Sequence, residues 1–361
     1  MSLHAEAAAG AIQDAGLVPR DIDGLLCAYS MTEPHPMLAG YFAEYFGISP
    51  EVALSVQAGG ATSCIMIAQA MALVRSGMCR NVLCVVGDNR LTGMSRDGAV
   101  QALSQFGHPQ FERPYGISIP AAYGLVAQRY MHEYGATHEE LAAIAVTHRR
   151  HAARHPNSHM TAPLSMEDVA RSRIIASPLR LFDCCLVSDG GAAVIVSNAN
   201  QAHDCAQRPV WLRGTGQAQT HEHIMAAPSL TDFGCKEAAH RAMARAGVTR
   251  GDFNLVEIYD SFTITLLIEL ESIGFFEIGT AGKAIVGGAL ELDGSLPCNT
   301  HGGLLSHGHS GAAGGMYHVI EAVQQLRRSA GLRQVKDANL AFVHGDGGIL
   351  SAHCSLVLER G

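Results

Sequence analysis

The sequence predicts an α/β fold assembled from two duplicated halves, and three observations support this. A helix–turn–strand pattern occurs twice, as EAAAGAIQDAGLVPRDIDGLL from Glu6 and as EAAHRAMARAGVTRGDFNLVE from Glu237. Two buried-strand patterns end in Gly-Asp, RNVLCVVGDN at 80–89 and ANLAFVHGDGG at 338–348. Each of these strands follows a helix that itself follows a glycine-rich loop. Matches that recur in the same order indicate a duplicated unit.

The elements follow one another in the same way in both halves. Each half has an amphipathic helix that stops at Ala-Gly, then a turn with an Asp, then an apolar strand. We place the N-terminal half at 1–200 and the C-terminal half at 209–361. The region from about 92 to 175 interrupts the first half. It is predicted to be an inserted loop-and-helix subdomain, a usual place for substrate contacts.

The composition argues against a nucleic-acid-binding protein and against a membrane protein. The 361 residues include 25 Lys or Arg and 33 Asp or Glu, which gives a formal net charge of −8 without any basic block. No apolar run reaches the length of a membrane span, and the N-terminus lacks a signal-peptide pattern, so we expect a cytoplasmic protein. The ten cysteines form no CxxC pair and are expected to be reduced and mostly buried.

Three histidines of the insertion have a spacing that metal ligands use. His148, His151 and His155 fall at i, i+3 and i+7 and could share one face of a helix. The arginines beside them favour a solvated helix instead. We therefore expect no bound metal.

The stretch NTHGGLLSHGHSGAAGG, from Asn299 to Gly315, combines glycines with His301, His307 and His309. Glycine costs backbone entropy on folding, so this density indicates a backbone that must approach something closely. Histidine titrates near neutral pH and serves as an acid or a base. The stretch is therefore a candidate functional loop.

Five motifs together resemble one family. They are PYGISIPAAYGLVAQRYMHEYG, PLRLFDCCLVSDGGAAVIV, EIYDSFTITLLIELESIGFFEIG, CNTHGGLLSHGHSGAAGG and LAFVHGDGG. In this order they resemble the thiolase superfamily, above all its sterol-carrier-protein-X and lipid-transfer-protein branch. The resemblance implies a five-layer αβαβα fold, a dimer formed through that core, and coenzyme A thioesters as substrates without a further cofactor. Thiolase halves usually open with a strand, whereas this chain begins within the helix pattern at Ser2.

The resemblance places Gly60, in SVQAGGATSC, where thiolases carry their nucleophilic cysteine. A helix N-terminus favours an anion and lowers the pKa of a thiol, which explains a cysteine at such a position. Glycine cannot form an acyl-enzyme. Cys64 lies one helical turn further and would share a face with Gly60, so it is either a displaced nucleophile or a buried packing residue.

Three further positions match catalytic positions of the family. His309 matches the histidine of the GHP motif, although Ser310 replaces the proline, and the resemblance implies that it holds the thioester oxygen. Tyr259 stands where classical thiolases carry Asn, as in aldolase-like relatives, and could exchange a proton with a substrate hydroxyl. His344 matches the C-terminal catalytic loop and is either an acid/base group or structural. The same resemblance assigns the oxyanion and substrate-binding region to Gly60, Asn299, His301 and Gly303.

We therefore expect an enzyme that breaks a carbon–carbon bond through an enolate. The leading hypothesis is retro-aldol cleavage of a β-hydroxyacyl-CoA with a bulky hydrophobic acyl group. One alternative is a thiolase or acyltransferase that uses Cys64 or another thiol, and a second is a non-catalytic subunit that binds acyl-CoA or lipid. The resemblance also implies a small OB-fold, zinc-ribbon partner subunit that binds the CoA ester.

Overall fold

The fold contains two mixed four-stranded sheets and one two-stranded sheet. A computed structural model describes the backbone of residues 1–361 and every side chain except those of Arg96 and Val100. The strands are β1 (Gly24–Ala28), β2 (Val52–Val56), β3 (Asn81–Asn89), β4 (Ile174–Ala176), β5 (Leu179–Arg180), β6 (Asp189–Ser197), β7 (Val210–Gln219), β8 (Leu255–Ile258), β9 (Leu340–Gly347) and β10 (Ala352–Arg360). The helices are α1 (Ser2–Ala15), α2 (Leu38–Phe46), α3 (Thr62–Arg75), α4 (Arg96–Ser104), α5 (Ile119–Tyr134), α6 (His138–Ala152), α7 (Met166–Arg171), α8 (Ala199–Asp204), α9 (Cys235–Ala246), α10 (Thr263–Ile273), α11 (Ala281–Val286) and α12 (Ala313–Arg327). Among the described helices, none is long and apolar enough to cross a membrane.

The two large sheets show the duplication that the sequence predicts. Their strand orders are β2-β1-β3-β6 and β7-β10-β9-β8. In the first sheet β1 is parallel to β3 and β3 is antiparallel to β6. In the second sheet β8 is parallel to β9 and β9 is antiparallel to β10. The helices α1 and α9 precede β1 and β8, and each ends at a glycine with positive φ, Gly16 at 71° and Gly247 at 70°.

The alternating side chains of β1 show that helices cover both faces of the first sheet. Leu25 packs in one hydrophobic cluster with Ile12 of α1 and Phe42 of α2. Its neighbour Leu26 belongs to a different cluster, which includes Met66 of α3. Because successive side chains of a strand point to opposite faces, α1 and α2 lie on one side and α3 on the other.

The second sheet is covered in the same way. Val343 of β9 belongs to the cluster that also holds Leu26 and Met316 of α12, so α3 and α12 lie between the two sheets. Phe342 packs in another cluster with Leu267 of α10. The layers are therefore α1 and α2, the first sheet, α3 and α12, the second sheet, and α9 with α10. This confirms the predicted five-layer αβαβα architecture.

The predicted insertion at about 92–175 consists mainly of helices, α4 to α7, and ends at the β4–β5 hairpin. Its helix α6 begins with a capping box in which Thr137 and Glu140 cap each other's backbone N–H groups. The expectation of a solvated helix at 148–155 is wrong for two of its histidines. His148 and His151 are fully buried, because α6 packs against the loop that follows Asn299.

Candidate active site

The N-terminal ends of α3 and α12 meet at the centre of the molecule. Ser63 Oγ donates to the carbonyl of Ala312 at 2.8 Å, and a Cβ on Gly315 would lie 2.7 Å from the carbonyl oxygen of Gly60. Only glycine permits this approach. Tyr259 follows β8 directly, and His309 lies four residues before α12, so both reach the same point.

The ring of Tyr259 occupies the space next to Gly60. A Cβ on Gly60 would lie 2.1 Å from Tyr259 Cζ and 2.3 Å from its Oη. It would also lie 2.3 Å from the carbonyl oxygen of Asp346. These distances are far below van der Waals contact, so no side chain fits at Gly60 while Tyr259 keeps this position.

Tyr259 and His309 form a hydrogen-bonded pair. Tyr259 Oη lies 3.0 Å from His309 Nε2. On the other side of the ring, Nδ1 lies 3.4 Å from Nη1 of Arg90 and 3.4 Å from Sγ of Cys185. A guanidinium can only donate, so Nδ1 is the acceptor and Nε2–H donates to the phenol oxygen. The proton of Tyr259 is then directed away from His309.

Both members of the pair are neutral at physiological pH. Burial raises the pKa of Tyr259 well above its usual value near 10. Burial, followed by the charge of Arg90, lowers the pKa of His309 to about 3. A neutral phenol held by a neutral imidazole can pass protons without any group being charged in the resting state.

Asp260 fixes the glycine loop beside this pair. Its carboxylate accepts from the backbone N–H groups of Leu304 at 2.7 Å and Leu305 at 3.3 Å, and from His148 Nδ1 at 2.8 Å. Gly303 has φ +61°, and a Cβ there would lie 2.1 Å from Asp260 Oδ2. The single π-helical turn Gly303–His307 therefore requires glycine at its start.

His318 of α12 supplies a positive charge behind the site. Its Nε2 lies 3.5 Å from Asp260 Oδ1 and its Nδ1 lies 3.4 Å from Glu257 Oε2. Burial alone lowers the pKa of His318, but the bonds to these carboxylates outweigh it and raise the pKa to about 9. The charge of Asp260 is thus compensated inside the protein.

Family comparisons agree with this fold. Residues 1–200 match the thiolase N-terminal domain, and residues 216–360 match the thiolase C-terminal domain-like family. The chain belongs to the thiolase superfamily. It is 31% identical to "Acetyl-CoA acetyltransferase" of Methanothermobacter thermautotrophicus, over 96% of this chain and 92% of that protein.

Two other relatives carry the names of C–C bond-cleaving enzymes. The chain is 36% identical to "17-hydroxy-3-oxo-4-pregnene-20-carboxyl-CoA lyase" of Mycobacterium tuberculosis, over 91% of this chain and 86% of that protein. It also resembles the solved structure titled "Ltp2-ChsH2(DUF35) aldolase", with a TM-score of 0.86 and 32% identity over 99% of this chain and 92% of that chain. The thiolase superfamily thus includes similar proteins named for acyl transfer and for cleavage.

Cys64, the candidate displaced nucleophile, does not contact the Tyr259–His309 pair among the described contacts. Cys64 is fully buried, and a Cβ on Gly345 would lie 3.1 Å from its Sγ. Burial raises the pKa of the Cys64 thiol to about 12. The position and the neutral thiol favour the packing role over the displaced nucleophile.

The structure does not bring every predicted site side chain to Tyr259. The side chain of His344 is fully buried and lies next to Ser355 and His353, whereas its carbonyl oxygen accepts from Tyr259 N at 3.0 Å. Asn299 uses its amide to bind the backbone N–H and carbonyl of Ile258.

His301 is also buried behind the pair. Its Nδ1 lies 3.0 Å from Glu257 Oε2, and its ring packs edge-on against His318. Among the described contacts, neither Asn299 nor His301 reaches Tyr259 or His309 directly. Their visible effect is to hold the end of β8, from which Tyr259 projects.

Two residues that contact His309 were not predicted from the sequence as site residues. Arg90 follows the Gly-Asp-Asn end of β3, and Cys185 lies within the motif PLRLFDCCLVSDGG. Both are far from His309 along the chain, and only the fold brings them to its Nδ1. The place of Cys185 in a family motif could have indicated a site residue. For Arg90, the sequence offers only its position directly after a buried strand.

Proposed function

We propose that this protein catalyses retro-aldol cleavage of a β-hydroxyacyl-CoA. The observation that supports this most directly is the pair Gly60 and Tyr259, because a phenol fills the volume in which a thiolase nucleophile would stand. A site with a proton-transfer group and no thiol at that position favours C–C cleavage over acyl transfer. The names of the Mycobacterium tuberculosis and Ltp2-ChsH2(DUF35) relatives point to the same reaction.

Tyr259 can serve as both base and acid in this reaction. As the Cα–Cβ bond breaks and a ketone or aldehyde forms, Oη takes the proton of the β-hydroxyl and in the same step gives its own proton to Cα of the thioester enolate. Oη therefore holds one proton before and after the reaction, which moves one proton from oxygen to carbon overall. The raised pKa of Tyr259 suits this shuttle, because the phenol never has to be ionised in the resting enzyme.

His309 and Arg90 support the phenol oxygen during the transfer. The Nε2–H group of His309 donates to Tyr259 Oη, and the guanidinium of Arg90 holds the imidazole in this tautomer. Partial negative charge on Oη is stabilised by these fixed donors in a site that excludes water. In this geometry His309 acts on Tyr259, whereas the family resemblance assigns it to the thioester oxygen. In the first role the hydrogen bond from His309 goes to Tyr259 Oη, and in the second it goes to the thioester oxygen of the substrate.

We expect the acyl group to be bulky and hydrophobic, as the relatives' names suggest. Coenzyme A takes part as the substrate thioester. We also infer a second, small OB-fold and zinc-ribbon subunit that binds the CoA ester, since the similar structure carries a second component, ChsH2(DUF35), in its title. Co-purification of this chain with a co-expressed subunit of that kind tests the inference. Separation of the two during size exclusion contradicts it.

A homodimer formed through the first sheet is the second inferred assembly. Strand β2 is the last strand of that sheet, and its Leu54 side chain is 48% exposed. An edge strand with an exposed apolar side chain is open to pairing with another strand. Light scattering of the purified chain should give twice the chain mass, and Leu54→Lys should give the mass of one chain. A monomeric wild type contradicts the inference.

The decisive test is cleavage of a panel of β-hydroxyacyl-CoA thioesters, with and without the partner subunit. Release of acetyl-CoA or propionyl-CoA together with a ketone or aldehyde is the expected result. Tyr259→Phe should lower the rate by roughly 10²- to 10⁴-fold, the usual effect of losing a positioned acid/base group. Tyr115→Phe is the matched control, because Tyr115 is 86% exposed. Full activity of Tyr259→Phe would refute the role of the tyrosine.

Acyl transfer is the second candidate, and one observation favours it. Cys185 Sγ lies 3.4 Å from His309 Nδ1, a distance at which a histidine can activate a thiol. Burial raises the pKa of Cys185 to about 12, however, so the thiol is neutral at rest. A covalent acyl adduct on Cys185 during turnover, detected by mass spectrometry, would support transfer and overturn the lyase proposal.

A further inference from the structure

A separate group of polar side chains lies buried on the far side of β9. It consists of Glu269 from α10, His344 and Asp346 from β9, and His353 from β10, and we call it the β9–β10 cluster. All four residues are buried, with at most 1% of their surface exposed. His344 and Asp346 are two residues apart, so they project from the same face of the strand. The reaction proposed above does not need these side chains.

Three atoms of the cluster that could act as metal ligands face a common point. His344 Nε2 lies 3.2 Å from His353 Nδ1 and 3.6 Å from Glu269 Oε1, and the last two atoms are 3.9 Å apart. Of the points equidistant from the three atoms, the circumcentre of their triangle is the nearest, at about 2.1 Å from each. This is the length of a zinc–nitrogen or zinc–oxygen bond. Asp346 Oδ1 lies 3.9 Å from His353 Nδ1 but does not join the group of three ligand atoms, so the fourth position is left to a water molecule.

Three of the four carboxylate oxygens in the cluster lack a hydrogen-bond donor, and the fourth, Asp346 Oδ2, accepts from Tyr123 Oη at 3.1 Å. Both oxygens of Glu269 and Oδ1 of Asp346 have no hydrogen-bond partner among the described residues. An unpaired buried carboxylate is costly, and a cation removes that cost. A second buried group, Glu257 with His301 and His318, differs from the β9–β10 cluster in this respect. Its carboxylate is already paired, because Glu257 Oε1 accepts from both N and Oγ1 of Thr300.

The outer nitrogens of both histidines are already engaged. His353 Nε2–H donates to the carbonyl of Leu350 at 3.0 Å, which leaves the lone pair of Nδ1 facing the cluster. His344 Nδ1 lies 2.8 Å from Ser355 Oγ. If Nδ1 donates to this hydroxyl, Nε2 also presents a lone pair, as metal-bound histidines do. A chain of hydrogen bonds from Ser355 through both rings would satisfy the histidines without a metal. It would leave Glu269 unpaired, since His344 Nε2 lies 3.6 Å from Oε1.

We infer that the β9–β10 cluster binds one divalent transition-metal ion through Glu269, His344 and His353, with Zn²⁺ the best fit to two imidazole nitrogens and one carboxylate oxygen. Such a site would be structural, because its three ligands are buried and the proposed reaction does not use their side chains. It would fix β9 to β10 and α10 directly behind Tyr259, whose backbone N–H donates to the His344 carbonyl. The inference is independent of which reaction the site catalyses.

Metal analysis of the purified protein tests the inference. The chain is expressed with zinc in the medium, purified without chelators, dialysed and analysed by plasma mass spectrometry. About one zinc per chain is expected. Growth with cobalt should give the visible absorption of a four-coordinate Co²⁺ ion. Wild-type protein that contains neither metal under these conditions overturns the inference.

Variants then locate the ion. Glu269→Gln and His353→Gln should lose most of the metal, whereas Glu271→Gln should retain it. Glu271 is the matched control, because it is a buried carboxylate of the same helix that pairs with Tyr130 and Ala281 instead. Full metal content in both cluster variants overturns the assignment. If these variants do not fold, wild type alone decides, because chelator treatment should lower its thermal midpoint and zinc should restore it. A midpoint that is indifferent to both reagents counts against the site.

Discussion

Replacing Gly60 by alanine tests the central feature of the site. The new Cβ would meet Tyr259 Cζ at 2.1 Å and the carbonyl oxygen of Asp346 at 2.3 Å. Overpacking of a dense interior costs about 1–3 kcal/mol, and a clash with backbone belongs at the upper end because no rotamer change relieves it. Gly60 is not among the positive-φ glycines, so the methyl group also restricts the unfolded chain and returns about 0.4–1 kcal/mol. A net loss of about 2 kcal/mol is expected.

Urea unfolding followed by circular dichroism measures this loss. Gly10→Ala is the control, because Gly10 is exposed on α1 with nothing within 4 Å of its Cβ position, and it should gain about 1 kcal/mol. Adding Tyr259→Ala to Gly60→Ala should recover part of the loss, with a coupling of about 0.5–3 kcal/mol. Wild-type stability of Gly60→Ala would show that the tyrosine ring does not occupy this volume.

Three further predictions concern charge and the thiol. Because the pKa of His309 is about 3 and that of Tyr259 lies well above 10, kcat/KM should not change with their ionisation between about pH 5 and 9; loss of activity with a midpoint near 6.5, absent from a His309→Gln variant, would contradict this. The pKa of His318 is about 9 in the folded protein and near 6.5 in the unfolded chain, so protonation of His318 stabilises the fold fully below pH 6.5. About 3 kcal/mol of unfolding free energy should therefore be lost as the pH rises from 6.5 through 9. The variant His318→Gln should lose less over this range, and equal losses would contradict the assignment. Cys185→Ala should keep lyase activity within about tenfold if cleavage needs no thiol; an inactive, folded variant would argue for acyl transfer.

The duplicated architecture could be predicted because its signals are local. An Ala-Gly followed by a turn pattern is a common helix end, and Gly16 and Gly247, which follow α1 and α9, do adopt positive φ. The strands β1, β3 and β9 contain continuous apolar runs, as expected for strands covered on both faces. The five layers themselves came from the family resemblance, since no local pattern specifies which helices lie between two sheets.

The burial of His148 could not be predicted in the same way. Its neighbours Arg149 and Arg150 suggested a solvated face, and only the fold supplies Asp260 as a partner for the imidazole. Arg149 is itself buried and donates to Ser306 Oγ at 3.0 Å. A polar helix face can thus be either solvated or paired, and the sequence alone does not distinguish the two when the partner lies more than a hundred residues away.

The position of His344 shows what strand alternation could have added to motif matching. Val343 packs in the central cluster with α3 and α12, and Gly345 approaches Cys64 of α3. The side chain of His344 must then point to the opposite face, away from Gly60, by the period of two. The motif match fixed the place of His344 along the chain, but side-chain direction decides what the imidazole can touch.

Gly60 and Tyr259 form one steric unit. If residue 60 had a side chain, the ring of Tyr259 would have to leave its place beside His309 Nε2, and the phenol would lose the donor that supports its oxygen. Conversely, a smaller residue at 259 would leave a cavity next to Gly60 and no group to exchange protons with the substrate. A thiol nucleophile at 60 and a phenol at 259 therefore exclude each other on this backbone. A change from acyl transfer to cleavage requires both positions to change together, because either single change leaves a clash or an empty space.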